Sequence, residues 1–541
     1  MNRIFQELVK TRGLSSDFIS PKYFSEPEIH KRLPDIEKAL DEIENAILKN
    51  QKIMVYGDYD VDGVTATTVM VNALKLAGVK SENIITMLPD RFIDGYGMSE
   101  RCIKRAKDEK IDLIITVDCG SNNSEVISKL NEQKIKTIVT DHHEIMGKLP
   151  EALAVVNPKR DHLENIEDLA GVGVAFMVAR GLVERGRIKD GQEKWLLDLV
   201  LIGTLCDSMN LTKLNRELTF YGLKVLKKTH RPGLKELMRV SKIKEINSEV
   251  IGFQLGPRLN AGGRLKSAEI SLKLLMTDSK TEAVKLANEL NELNTNRQTE
   301  QRSALKEIAE RETEIMKNPV VVVSGDWHEG VLGIIAGRLV EKYHKPAFVL
   351  SKIDDFYKGS GRSFGEFNLA NALKNCQENI LGGGGHAAAC GLSVSAEKLL
   401  DFTEDVNAYY KSLELKNQEE FLKIKADLNY EDLADFSVEL LDNLSELEPF
   451  GEGNKEPRFK LLGVKVLGVK KLGKDENHLK LTVGDKDNKK MNLISFFAPE
   501  KWLDLKTGQN LDITASLFKN EWNGKVSVEG RILDIEYGII E

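Results

Sequence analysis

The chain has 541 residues, too many for one compact domain, and three or four are expected. Its 41% hydrophobic and 30% charged residues fit a globular protein that folds in water. The net charge of -7 excludes nucleic-acid binding by bulk charge, so any such binding needs a local basic groove.

The N-terminal MNRIFQEL has no apolar leader, which predicts no signal peptide. No run approaches the roughly 18 apolar residues of a membrane span. Cysteines 102, 119, 206, 376 and 390 are odd in number and form no C-x-x-C, so a reducing cytoplasm is the expected home.

Residues 1–45 read as a polar arm with one amphipathic helix near 33–49. Short apolar runs at 52–56, 84–88, 113–117, 137–140 and 154–156 then alternate with helical segments at 64–76, 99–109 and 125–133. That pattern predicts an α/β domain with a parallel sheet covered on both faces, over residues 46–230. A connector, 231–317, carries a polar helix from Thr281 to about Met316, spanning roughly 50 Å and suited to bridging domains. A second α/β domain is expected over 318–415, a charged helical linker over 416–456, and a five-stranded β domain of OB-fold type over 457–541. Trp522-Asn523-Gly524-Lys525 reads as a hairpin turn in that domain.

Acidic and histidine residues follow several of these strands. Asp58, Asp60 and Asp62 alternate after the first, Asp118 follows the third, and Asp141-His142-His143 follows the fourth. Strand ends are where α/β proteins build sites. Each segment has a plainer alternative: Asp62-Gly63 or Asp118 could cap a helix, and Asp207, in an apolar helical run, could pair with a cation. Together they exceed what one metal needs. Mixed carboxylate and imidazole ligands favour Mn²⁺ or Mg²⁺, and two ions sharing a carboxylate suit in-line displacement at a phosphate ester.

Phosphate-binding candidates lie elsewhere. Gly382 to Gly385, before His386, read as a glycine loop opening a helix, with Gly384 and Gly385 as phosphate cradle. Ser360-Gly361-Arg362 and Arg91 offer donors, and Tyr96 could stack on a base. Arg258, Asn260 and Arg264 read as a rigid nucleic-acid-facing loop. Asn294, Arg297, Gln298 and Arg302 share one face of the long helix, where solvation is the ordinary reading.

In order, GDYDVDG, VDCG, DHH, GTLCD and GGGGHAAACG resemble the DHH phosphoesterase superfamily. RFIDGYG, LAGVGVAF, LGPRLNAGGRL, WHEGVLGIIAGRL, SGRS and LEPFGEGNKEPRF resemble, within it, the RecJ family of single-strand-specific 5′→3′ DNA exonucleases. The resemblance covers nearly the whole chain. It implies a DHH domain, a connecting helix, a DHH-associated domain and an OB-fold, and a Mn²⁺ or Mg²⁺ centre, with two ions expected. It implies Asp58, Asp60, Asp62, Asp118, His142, His143 and Asp207 as metal ligands, with Asp141 supporting the histidines. Asp62, Asp118, His142 and His386 are the residues on which hydrolysis should depend. His386 would hold the scissile phosphate, and Arg91, Ser360 and Arg362 the 5′-phosphate end. The expected product is 5′-mononucleotides, from a monomer acting on single-stranded DNA with a 5′ end in recombination and repair. A single-stranded-DNA-binding protein and a RecQ-type helicase are implied as partners by the resemblance only. Tyr56 stands where several relatives carry His, and Cys390 where Ala is usual. Two other readings stay open: a DHH enzyme for short oligoribonucleotides or cyclic dinucleotides, and a non-catalytic scaffold.

Overall fold

The computed structural model describes residues 2–537, apart from residues 161, 162, 164, 165, 167, 416, 417, 475 and 523. The first sheet contains β1 (Ile53–Tyr56), β2 (Ile84–Met87), β3 (Leu113–Val117), β4 (Lys136–Thr140) and β5 (Ala154–Val156). Its strands are all parallel, in the order β2-β1-β3-β4-β5. Alternate residues of β1 feed two cores: Ile53 and Val55 join the larger, Met54 and Tyr56 the smaller on the opposite face. Both faces are covered, which is why these strands read as unbroken apolar runs. The strand order reverses between β1 and β3, the place where such sheets leave a crevice at their carboxyl edge.

The helix Val61–Leu76 is buried along nearly its whole length between the sheet and the helices Gly171–Glu184 and Leu197–Cys206. It starts three residues earlier than the sequence suggests. Asp60 is its N-cap, accepting from Gly63 N at 3.0 Å, so Asp62 sits in the first turn rather than capping.

The long helix runs Lys280–Ala309 and stops short of Met316; a separate turn follows at Glu312–Ile315. Its first half packs Ala283, Leu286, Ala287 and Leu290 into the first core, and its end packs Ala304 and Ile308 into the core of the second α/β unit. Between them Asn294 and Arg297 are buried and Gln298 half-buried, while Arg302 is exposed, so only part of this face is solvated as its composition suggests.

The second sheet contains β6 (Val321–Gly325), β7 (Ala347–Ile353), β8 (Phe356–Arg362), β9 (Gly382–Gly385) and β10 (Ala389–Ser395), in the order β6-β7-β8-β10-β9. Gly382 to Gly385 therefore form an edge strand, not a loop opening a helix. Backbone pairing of Gly384 with Gly391 and Gly385 with Cys390 needs no side chain, and a Cβ on Gly383 would come within 2.9 Å of Gly391 O.

The C-terminal strands are β11 (Leu428–Tyr430), β12 (Phe459–Leu472), β13 (His478–Gly484), β14 (Lys490–Ser495), β15 (Asn510–Trp522) and β16 (Lys525–Tyr537). Pairing of β12 with both β13 and β15, and parallel pairing of β14 with β16, closes a five-strand barrel to which β11 adds. The proposed turn between β15 and β16 includes Asn523, which lies outside the described residues. The stretch before β12 contains β11 and the helix Val438–Ser445 rather than continuous helix. The N-terminal arm also departs from expectation: Ile4, Phe5 and Leu8 of the helix Arg3–Thr11 are buried in the barrel's core, and Arg12 pairs with Asp427 at 2.7 Å. Among the described residues no helix is long and apolar enough to cross a membrane.

Candidate metal centre

Three adjacent parallel strands deliver most of the expected ligands. Asp58 and Asp60 follow β1, Asp118 follows β3 and His142 and His143 follow β4, all at the carboxyl edge. Asp118 takes a left-handed backbone, φ 59°, where the chain leaves β3. Single left-handed residues of this kind concentrate at functional sites. Asp207 arrives from the far side, one residue past the helix Leu197–Cys206, as its C-cap rather than inside it.

The groups converge. His142 Nε2 lies 3.1 Å from Asp118 Oδ1 and 3.7 Å from both Asp62 Oδ2 and Asp207 Oδ2. Three overlapping sets, Asp118/His142/His143, Asp62/His142/Asp207 and Asp58/Asp60/Asp118, each bring their ligand atoms within 4.8 Å of one another. The sequence-predicted ligands thus form one cluster, with Asp118 and His142 each shared between two sets.

Glycines make the approach possible. A Cβ on Gly171 would sit 2.6 Å from Asp118 Oδ1, and one on Gly203 2.8 Å from Asp62 Oδ1. Asp62 also accepts from Gly171 N at 2.6 Å and Val172 N at 2.9 Å, so its charge faces a helix N-terminus.

Electrostatics show what the cluster lacks. Burial and the neighbouring Asp60 push Asp58 up to about 8 and Asp62 to about 7. Burial and Asp62 push Asp207 up to about 8, and burial with the surrounding aspartates lifts Asp118 well above the carboxylate range. Burial and the adjacent His143 hold His142 down at about 3, a neutral ligand. Among the described residues the buried Asp58 Oδ1 has no hydrogen-bond partner, and Asp118 Oδ1 meets only the nitrogens of His142 and His143. Crowded carboxylates, one with an orphaned oxygen, beside neutral imidazole, fit divalent cations of the Mn²⁺ or Mg²⁺ type.

Asp141 plays a different part. Its Oδ2 accepts from Ser121 N at 2.9 Å, and its Oδ1 accepts from His142 N at 2.7 Å and lies 2.8 Å from His143 Nδ1. Burial opposes its charge, but the bond to His143 and the backbone donors hold it well below the carboxylate range. Burial likewise opposes charge on His143, yet Asp141 outweighs it and raises the imidazole to about 9. The Tyr96 hydroxyl lies 2.9 Å from the same nitrogen, so Tyr96 contacts the metal-side histidine. Tyr56 donates to Gly97 O at 2.9 Å, which fixes the end of that loop.

The residues expected at the phosphate come from other segments. Arg91 stands over the Tyr59 ring at 5.1 Å. On β8, Ser360 Oγ accepts from Arg362 Nη1 at 3.1 Å, and Arg362 pairs with Ala389 across to β10. His386 is exposed in the β9–β10 connection, where its N–H donates to Ala389 O at 2.8 Å. Gly384, Gly385, His386, Ser360 and Arg362 therefore share one end of the second sheet. Among the described residues no hydrogen bond or ion pair joins His386 to the carboxylates.

Gly256–Leu265, expected as a loop, is an α-helix continuing a π-helical turn at Ile251–Leu255. Tertiary packing overrides its glycines: a Cβ on Gly263 would reach 2.8 Å from Tyr59 O, and one on Gly330 would collide with Arg264 O. This helix is wedged between the metal segment and the second α/β unit. Arg258 bonds Asn291 Oδ1 at 3.0 Å and Gln254 O at 2.8 Å. Burial and the like charges of Arg91, Arg297 and Arg362 push Arg264 down to about 10.

A cleft of about 750 Å³ opens beside Asp207. Its lining includes Asn260, Arg264 and Arg297, Ser208 and Met209, and a wall from the segment before the barrel in which Phe450, Lys455 and Arg458 alternate with Glu448, Glu452 and Glu456. Sequence reasoning missed this last wall and what holds it. Arg531 pairs with Glu249 at 3.0 Å, and the buried Arg216 donates to the carbonyls of Phe18, Glu446, Leu447 and Glu448. Arg216 is one of four charged residues in the helix Lys213–Leu226, so nothing in the sequence singled out the second contact.

Comparison with known proteins agrees with this architecture. The DHH family N-terminal domain model matches residues 52–204, the DHHA1 domain model 302–412 and the RecJ OB domain model 429–534. The single-stranded-DNA-specific exonuclease RecJ of Bacillus subtilis is 35% identical over 497 residues, covering 90% of this chain and 62% of that protein. Its counterpart in Escherichia coli is 34% identical over 471 residues, covering 81% of this chain and 79% of that protein. The crystal structure of RecJ in complex with Mn²⁺ from Thermus thermophilus superposes with a TM-score of 0.85 at 26% identity, covering 99% of this chain and 76% of that one.

Proposed function

From the premise that the chain belongs to the RecJ family, whose curated members are named single-stranded-DNA-specific exonucleases, we propose that it hydrolyses single-stranded DNA from the 5′ end and releases 5′-mononucleotides. The observation that carries this reading is the placing of guanidiniums beside the carboxylates: Arg91 stands over the ring of Tyr59, between Asp58 and Asp60, and Arg264 and Arg297 line the cleft that Cys206 and Ser208 share, on either side of Asp207. Guanidiniums so placed suit the phosphates of a strand whose next ester lies over the metal ligands.

Asp58, Asp60, Asp62, Asp118, His142, His143 and Asp207 would hold two divalent ions. When bound, such ions supply a nucleophile at neutral pH and neutralise charge on the displaced oxygens. The chain's own residues do the rest. Asp141 keeps His143 oriented, with Nδ1 toward its carboxylate, leaving Nε2 for a ligand. Arg91, Ser360 and Arg362 would receive the terminal phosphate, fixing the distance from the 5′ end to the bond that breaks. Gly384 and Gly385 offer backbone donors and His386 a side chain to the scissile phosphate, once a strand draws β9 toward the first sheet. Arg258, Asn260, Arg264 and Tyr96 would track the strand between the two units. The long helix, through Arg297, and the barrel, through Arg531, both line the cleft along this path, which supports contact with a single strand. A single-stranded-DNA-binding protein and a RecQ-type helicase are the partners proposed, and a monomer the active form.

The test compares wild type with Asp118→Ala on single-stranded DNA labelled at either end, with Mn²⁺ present. Mononucleotides appearing first from the 5′ label in wild type, and a loss of at least about a thousandfold in the variant, are expected, since the shared ligand is removed. Label released first from the 3′ end would overturn the polarity, and unchanged activity in the variant would overturn the metal assignment.

A further inference from the structure

Phe253 lines the cleft beside Asp207 and takes no part in the metal centre or the phosphate pocket. Phe253 is 74% exposed, yet it lies in the cleft lining rather than on the outer surface. It is carried by the π-helical turn Ile251–Leu255, whose end residues Ile251 and Leu255 are fully buried. The extra residue in that turn therefore projects Phe253 from a rigid anchor. Turns of this kind are rare and recur at functional sites. Among the described residues no other ring stacks on Phe253. Arg264 and Arg297 share that lining, and Arg258 follows the lining residue Pro257 on the same helix; among the described residues the bonds of all three go to neutral groups: Asn291 Oδ1 and Gln254 O, Gly330 O, and Asn294 Oδ1 with Gln301 Oε1. A free aromatic face beside guanidiniums without carboxylate partners matches an unpaired base on a phosphate backbone.

We propose that Phe253 is a specificity-determining residue: it stacks on one base of the single strand downstream of the scissile bond, while Arg258, Arg264 and Arg297 hold the phosphates beside it. This rests on the exonuclease reading above and deepens it. Stacking accepts any base but requires it to be unpaired, so Phe253 would select single strands without selecting sequence. The neighbouring segment ties it to the chemistry: Gly256, three residues on, would put a Cβ 2.5 Å from Cys206 Sγ, next to Asp207.

The test measures kcat and KM on 5′-phosphorylated DNA from 2 to about 20 nucleotides, for wild type, Phe253→Ala, Phe253→Leu and Phe253→Trp. One lost base–aromatic stack corresponds to a KM increase of roughly tenfold or more on the longer substrates. Alanine and leucine should both show it, tryptophan should restore the wild-type value, and the defect should shrink as the substrate shortens past the stacked base. With a chelator present, the extra indole fluorescence that F253W adds over wild type should be quenched by single-stranded and not by double-stranded DNA. A KM unchanged at every length, or raised equally at every length including the dinucleotide, overturns the proposal. If wild type cleaves no DNA at all, it is the exonuclease reading that falls; quenching in the chelator then still decides whether position 253 meets a base.

Discussion

Asp141 holds His143 from two directions: Oδ1 accepts from the His143 backbone N–H at 3.2 Å and lies 2.8 Å from its Nδ1. The carboxylate is thus spent on orienting the imidazole; the same oxygen also accepts from His142 N, and Ser121 N locks the other oxygen. Asp141→Asn keeps the shape but removes the charge. We expect Mn²⁺ affinity to fall about 10–100-fold, read by titration calorimetry. Affinity equal to wild type would mean that His143 orients itself.

The raised carboxylates make a prediction about pH. Asp62, near 7, and Asp58 and Asp207, near 8, hold protons in the folded chain that the unfolded chain releases near 4. Their stabilising protonation is fully present below the unfolded value and is lost as pH rises through the folded values. His143, raised to about 9, acts in the same direction. In chelator, Tm should therefore fall between about pH 6.5 and 8, Asp118→Asn should flatten the slope, and saturating Mn²⁺ should offset it. A Tm that rises across this window in chelator would contradict the assignment.

Gly171→Ala tests the packing around Asp118. Alanine is the better helix former by about 1 kcal/mol, but here its Cβ would meet Asp118 Cβ at 2.5 Å. The collision should win, costing roughly 1–3 kcal/mol in denaturant unfolding and lowering activity more than stability. A variant more stable than wild type and fully active would show that the site relaxes freely.

Arg216→Met removes a buried cation that bonds four backbone carbonyls. Stranding those carbonyls should cost about 3 kcal/mol or more. It should also loosen the barrel, so hydrolysis of long substrates falls more than that of short ones. Equal loss at all lengths would separate Arg216 from the cleft wall.

Much of this molecule is legible in its sequence, for identifiable reasons. Apolar runs such as Leu113–Val117 reveal a doubly covered parallel sheet, and acids directly after them land at its edge because β1, β3 and β4 are neighbours. Asp58, Asp118 and His142 could thus be grouped without coordinates. Two kinds of feature could not be read. Gly382–Gly385 has no side-chain period, so only its partner β10 makes it a strand. Gly256-Pro257 and Gly262-Gly263 read as a turn because local propensity says so, while close packing on Tyr59 and Ser267 demands helix without side chains. Contacts between distant parts, such as Phe5 in the barrel core, leave no local pattern at all.

The helix Lys280–Ala309 is rooted in both cores and has 30 residues. At about 45 Å it is a lever, and a bend of roughly 5° displaces its far end by about 4 Å. That exceeds the tolerance of any hydrogen bond. The alignment of Arg362 with Asp118 therefore depends on the stiffness of a polar stretch, Asn294 to Gln301, that need not touch the reacting phosphate. Apart from Arg297, which lines the cleft, substitutions there would act on the reaction as changes in a ruler, felt at its ends.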